Sequence, residues 1–129
     1  MSRDVIQTND APKAIGPYSQ AVAVSAGKMV FLSGQIPLDP STGEMVGGAD
    51  VVLQAEQVMK NLAAVLKAAG VGFEEVVRCG IFLTDLGDFQ KVNEVYGRYF
   101  PKNPPARATV QVSALPRGAK VEIDCIAVS

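Results

Sequence analysis

The chain has 129 residues, 48% hydrophobic and 19% charged, a composition that excludes a disordered polypeptide and predicts one globular domain over 1–129. Twelve Lys and Arg against thirteen Asp and Glu leave a net charge of −1, so no bulk positive field draws in nucleic acid or an anionic membrane surface. Histidine is absent, which removes Ser-His-Asp and Cys-His catalysis, imidazole bases and His-ligated metal sites.

The stretch up to Gly16 lacks the apolar core of a secretory signal, and the longest unbroken apolar run is Leu62 to Leu66; a cytoplasmic protein without a membrane span is expected. Gln20 to Ser25 and Lys28 to Ser33 read as two strands of a hairpin turned at Ala26-Gly27. Gly34 to Ala49, punctuated by Pro37, Pro40, Gly43, Gly47 and Gly48, reads as a long loop with room for a short strand at Glu44-Met45-Val46. Loops of that length tend to carry function. From Asp50, a plausible N-cap, apolar residues recur at Val52, Ala55, Met59, Leu62, Leu66 and Ala69 before Gly70, which predicts an amphipathic helix of about five turns. Gly70-Val71-Gly72 closes that helix and is a turn, not a phosphate cradle.

Glu75 to Thr84 reads as a strand with Val77, Cys79, Ile81 and Leu83 on one face and Val76, Arg78, Gly80, Phe82 and Thr84 on the other. Phe89, Val92, Tyr96 and Phe100 space a second helix, opened by Asp85 or Asp88 and stopped at Pro101, with Asn93 bordering its buried stripe. After a Pro-rich linker, Arg107 to Ala114 and Lys120 to Val128 are two strands joined by a turn at Pro116-Arg117-Gly118. The order ββ(β)αβαββ predicts an α+β fold, a mixed sheet with both helices on one face. Cys79 and Cys125 lie in apolar strands without CxxC spacing and read as core residues. No P-loop, GxSxG or HExxH occurs, and no metal-ligand cluster is expected.

Alternation sorts the last two strands. Ala108, Val110 and Val112 with Val121, Ile123, Cys125 and Ala127 make an apolar face for the helices to cover. The opposite face would carry Arg107, Thr109, Gln111 and Ser113 beside Glu122, Asp124, Ile126 and Val128, extended by Val76, Phe82 and Thr84. A face that mixes Ile126 and Phe82 with Arg107 and Glu122 is neither purely solvated nor core, and points to an oligomer interface enclosing polar sites. Arg107 with Glu122 or Asp124 reads either as a surface ion pair, worth at most about 1 kcal/mol, or as a carboxylate clamp beside a proton-handling carboxylate. Alternation alone leaves both open, and in isolation Tyr18 reads as a turn aromatic.

Ala11-Pro12, the run Ala14-Ile15-Gly16-Pro17-Tyr18-Ser19-Gln20, Ser33-Gly34-Gln35-Ile36-Pro37, Pro105-Ala106-Arg107-Ala108-Thr109-Val110 and Val121-Glu122-Ile123-Asp124 resemble the RidA family, also called YjgF-like proteins, across the whole chain. The resemblance implies a chorismate-mutase-like fold, a homotrimer with a ligand cleft at each subunit interface, and cofactor-free hydrolysis of 2-imino acids such as 2-iminopropanoate and 2-iminobutanoate to 2-keto acids and ammonia. Such imines derive from enamines released by pyridoxal-phosphate-dependent dehydratases. By the same resemblance Arg107 binds the substrate carboxylate, Glu122 positions or activates water, Tyr18 and Asn93 line the cleft, and Ser33 and Gly34 form a strand end that approaches the ligand. Thr109 stands where many archetypal members carry cysteine; it keeps packing and a hydroxyl but no thiol. A non-catalytic, metabolite-binding or chaperone-like trimer is the alternative, and ribonuclease or translation-inhibitor activity is disfavoured by the charge balance.

Overall fold

A computed structural model describes residues 3–25 and 27–129. Asp50 begins the first long helix: in extended backbone, its carboxylate accepts the N–H groups of Val52 at 2.9 Å and Leu53 at 3.3 Å, two of the donors a helix start leaves unpaired. That helix, α1, runs Val51–Ala68 and ends before Gly70. The remaining elements are strands β1 (Arg3–Ile6), β2 (Ala21–Val24), β3 (Met29–Gln35), β4 (Val76–Leu83), β5 (Ala106–Gln111) and β6 (Val121–Val128), with helix α2 (Phe89–Tyr99) between β4 and β5. No helix among the described residues is long and apolar enough to cross a membrane.

Four strands form a mixed sheet in the order β3-β6-β4-β5, with β4 and β5 parallel and the other pairs antiparallel. Residues opposite each other on neighbouring strands share a face, so the register assigns every side chain. Arg107, Cys79 and Cys125 form one lateral row; Thr109, Ile81 and Ile123 the next; Gln111, Leu83 and Val121 the third. This is the face the two helices cover, and Val58, Met59, Leu62 and Leu66 of α1 meet Val92, Val95 and Tyr96 of α2 above it in one core. The other face carries Ala108, Gly80 and Asp124 in one row and Val110, Phe82 and Glu122 in the next. No element among the described residues covers it: Phe31 is 69% exposed and Val110 45%.

Four expectations are corrected. The hairpin expected around Ala26, itself outside the described residues, does not form: β2 pairs with β1, which the sequence pattern missed, and β3 pairs with β6. β5 and β6 are not neighbours either, because β4 lies between them, and β5 runs parallel to β4. Arg107, Thr109 and Gln111 consequently face the helices, and Ala108 and Val110 face outward, the reverse of the assignment made from alternation. A bulge between Val76 and Arg78 moves Val76 into the core in place of half-buried Val77, so Val76 does not belong to the bare face, whereas Val128, opposite Met29, keeps the face of Ile126 and is itself buried.

Gln54 is the one strongly buried polar side chain within α1, 1% exposed. Its Nε2 donates to Gly48 O at 2.7 Å and its Oε1 accepts from Lys120 N at 2.8 Å, tying the long loop and the start of β6 to the helix. Gln54→Met keeps the volume and takes the partner from the Gly48 carbonyl and from the half-buried Lys120 N–H. A loss of about 1–3 kcal/mol in urea unfolding is expected, against near neutrality at the exposed Lys60.

Candidate active site

On β5, Arg107 leaves the sheet toward the first turns of α2, where Nη1 donates to Asn93 Oδ1 at 2.6 Å. Three aromatic rings surround the guanidinium: its Cζ lies 5.2 Å from the centroid of Tyr18, 5.7 Å from that of Phe89 and 5.2 Å from that of Tyr96. No carboxylate neutralises it, and the ion pairs among the described residues join Arg98 to Glu56 and Glu94 instead. Burial pulls its pKa below the ordinary arginine value, which leaves the group a cation. A guanidinium has five donors, and with one on Asn93 the fork retains the capacity to grip a carboxylate.

Tyr18 arrives from a loop that folds on itself and onto β5. Its N–H donates to Gly16 O at 2.8 Å and its hydroxyl accepts from Ile15 N at 3.3 Å, while Ser19 donates its N–H to Pro105 O at 3.2 Å and its hydroxyl to Pro104 O. Gly16 permits the close approach, since a Cβ there would stand 3.3 Å from Asn93 Nδ2 and 3.5 Å from Arg107 Nη2. On the other side of the site, Gln111 Oε1 accepts from Leu86 N at 2.9 Å and holds the turn that leads into Phe89. The result is an open recess of about 270 Å³ lined by Ile15, Tyr18, Phe89, Arg107 and Thr109. Thr109 Oγ1 is enclosed and has no hydrogen-bond partner there. A larger hollow of about 320 Å³ among Arg3, Phe73, Tyr99, Phe100 and Lys102 lies elsewhere, and its Arg3 is spent on the carbonyls of Val76 and Asn103, both at 2.9 Å.

Ser33, Gly34 and Glu122 do not join this recess. Glu122 pairs laterally with Phe82 on the bare face, and the irregularity between Leu32 and Gln35 brings Gly34 beneath its carboxylate, where a Cβ would come 2.0 Å from Glu122 Oε2. Asp124 lies one row further along the same face, its Oδ1 accepting from Gly80 N at 3.0 Å. The surface ion pair entertained for Arg107 with Glu122 or Asp124 is thereby excluded within one chain, since a sheet stands between them. The structure thus divides the expected residues into Tyr18, Asn93, Arg107 and Thr109 on the helix side and Ser33, Gly34 and Glu122 on the open side.

Phe89, Tyr96 and Gly16 are the site residues that sequence reasoning missed. Phe89 and Tyr96 fell into the apolar stripe of a helix, a pattern that marks burial and is silent about a cation beneath it. Behind Tyr96, Cys79 and Cys125 lie opposite each other on neighbouring strands: the Cys125 thiol holds Cys79 below the ordinary thiol value, while Cys125 is pushed far up by Cys79 and by burial. Both cysteines are free and buried, in agreement with their reading as core residues.

The sequence profile of the family described as endoribonuclease L-PSP matches residues 8–129. The chain is 75% identical to protein DfrA of Myxococcus xanthus over 129 residues, all of this chain and 98% of that protein. It is 54% identical to the 2-iminobutanoate/2-iminopropanoate deaminase of Mus musculus over 98% of this chain and 91% of the mouse protein. Among solved structures, that of E. coli TdcF with bound serine superposes with a TM-score of 0.74 at 44% identity, covering 98% of both chains. On the match of nearly the whole chain, on these relatives and on the fold described above, the protein belongs to the endoribonuclease L-PSP family, that of the RidA and YjgF-like proteins.

Proposed function

We propose that this protein is a cofactor-free hydrolase that deaminates small 2-imino acids, of the 2-iminopropanoate and 2-iminobutanoate type, to 2-keto acids and ammonia, in sites completed between copies of the chain in a homotrimer. The observation that carries this reading is the un-neutralised Arg107 fork in a ring-walled recess, with the carboxylate that would handle water placed on the opposite face of the same sheet. The mouse relative's name states the reaction, and serine in the E. coli relative is a small amino acid with the carboxylate such a fork would take.

In this reading Arg107 grips the substrate carboxylate, with Asn93 and the rings fixing its plane. The protonated imine carbon is already electrophilic, so the site has to orient a water and accept one of its protons; no metal or organic cofactor is required. Glu122 takes that role. Water adds to C2 as one of its protons passes to Glu122, that proton is returned to the nitrogen, and the C2–N bond then breaks to release ammonia while the C2 hydroxyl gives up its proton to solvent and becomes the keto oxygen. Thr109, with its enclosed hydroxyl, and Tyr18 border the reacting carbon, while Ser33 and Gly34 flank Glu122.

One chain cannot bring Arg107 and Glu122 to a single small ligand, because they project from opposite faces of one sheet. A second copy whose bare face meets the recess supplies the missing half and covers Phe31, Val110 and Ile126, the apolar residues the helices leave out. The charge of −1, with no basic cluster, argues against RNA as the substrate.

In light scattering, three chains of 13.6 kDa should give a particle of about 41 kDa; a stable monomer would end the composite-site reading. Arg107→Lys keeps the charge without the planar fork and should lower kcat/KM at least about tenfold with the fold intact. Glu122→Gln should lower kcat by about 10²- to 10⁴-fold with ligand binding retained. Trimers reassembled from equal parts of the two inactive variants should recover about a quarter of wild-type activity, the fraction of contacts where an intact Arg107 half meets an intact Glu122 half. A site built within one chain would recover none.

A further inference from the structure

We propose that Tyr96 is a positioning residue for the carboxylate-binding guanidinium, a role assigned on the reading of Arg107 given above. Of the three rings around Arg107, those of Tyr18 and Phe89 line the recess and are half-buried, whereas Tyr96 is 0% exposed and approaches from the core side. It is the floor on which the arginine lies. From behind, Phe100 holds the ring at a centroid distance of 4.7 Å and an interplanar angle of 41°, and Phe73 meets Phe100 edge-on at 5.3 Å, so the floor is backed by a stack anchored in the core.

The hydroxyl of Tyr96 is what a plain packing role leaves unexplained. A phenylalanine fills the same space without burying a polar group. Tyr96 Oη is fully enclosed and has no hydrogen-bond partner of good geometry; its polar neighbour is the Cys79 thiol, which occupies the lateral row of Arg107 itself. Burial first, and the Cys79 sulfur second, push its pKa far above the ordinary tyrosine value, so the hydroxyl stays neutral at any working pH. The oxygen therefore acts by place and not by charge: lodged against Cys79, it prevents the ring from sliding along the sheet. Since the guanidinium has one side-chain hydrogen bond and no counter-ion, sliding of the ring beneath it would tilt the fork.

The test compares Tyr96→Phe and Tyr96→Met with wild type as full-length protein, after melting temperature and oligomeric mass have been recorded. The readouts are KM and kcat for 2-iminobutanoate, the Kd of 2-ketobutanoate, and the NMR resonance of Arg107 Nε–Hε, identified by its loss in Arg107→Lys. In Y96F, KM and Kd should rise about threefold with kcat unchanged. In Y96M, which fills the space without a ring, both should rise at least about tenfold with kcat within about threefold, and the ring-current shift of the Arg107 proton should disappear. The proposal is overturned if Y96F matches wild type in KM, Kd and the Arg107 resonance, whether or not Y96M folds, because Tyr96 is then core and nothing more. A fall in kcat at constant KM overturns it as well. If wild type binds 2-ketobutanoate without hydrolysing the imine, the proposed reaction fails while Kd and the resonance still judge Tyr96; if it binds neither, the resonance alone does.

Discussion

A cation drawn partly out of water normally survives in a protein because a carboxylate neutralises it, and among the described residues none does so for Arg107. Arg107 is held by one amide oxygen and three ring faces, a setting that stabilises the charge weakly and leaves it open to an external anion. Most of the chain's irregular features are arranged around that condition. The Gly16–Ser19 loop is laced to Pro104 and Pro105, Gln111 props the entrance to α2, and the two cysteines and Tyr96 form a small, weakly polar layer between the arginine and the aliphatic core. Placing any aspartate or glutamate in that layer would satisfy the arginine and close the site.

The parallel pairing of β4 with β5 is the second constraint, because it chooses the face from which Arg107 projects. With Cys79 opposite Arg107 and Phe82 opposite Glu122, a shift of one residue would exchange the faces of the whole strand. The chain keeps the register by giving β5 an alternating pattern whose apolar members, Ala108 and Val110, are destined for the open side. Glycine at 34 and 80 leaves room for the two carboxylates to lie flat on that side.

Much of this was legible before any coordinates. The Asp50 cap, the spacing of Ala55, Met59, Leu62 and Leu66 and the stop after Ala69 are local signals, and local signals place helices well. The long motifs containing Tyr18, Ser33, Arg107 and Glu122 carried the resemblance to the family to which the chain belongs. What could not be read was the partner of each strand, which depends on contacts far apart in sequence. β5 looked like the hairpin mate of β6, and on that pairing its apolar residues must be core; once β4 separates the two strands, the same residues become surface. The pairing of β1 with β2 escaped for the same reason, since Arg3–Ile6 is a four-residue strand with no alternation strong enough to stand out. Aromatics around a cation are invisible to hydrophobic periodicity, which counts Tyr96 and Phe89 as grease.

The open side of the sheet also sets a condition on how the protein is made. Phe31, Met29 and Val110 stand largely in water on an isolated chain, beside half-buried Phe82 and Ile126. Apolar surface gathered on one face is prone to adhere to whatever it meets first. With the trimer proposed above, a newly synthesised polypeptide runs a race between finding its neighbour copy and forming indiscriminate aggregates. Dilution during refolding and overproduction in a host push that race in opposite directions: the first slows both encounters, the second favours whichever contact is least selective. Yield, and not thermodynamic stability alone, is the quantity through which changes at Phe31 or Val110 would first be felt.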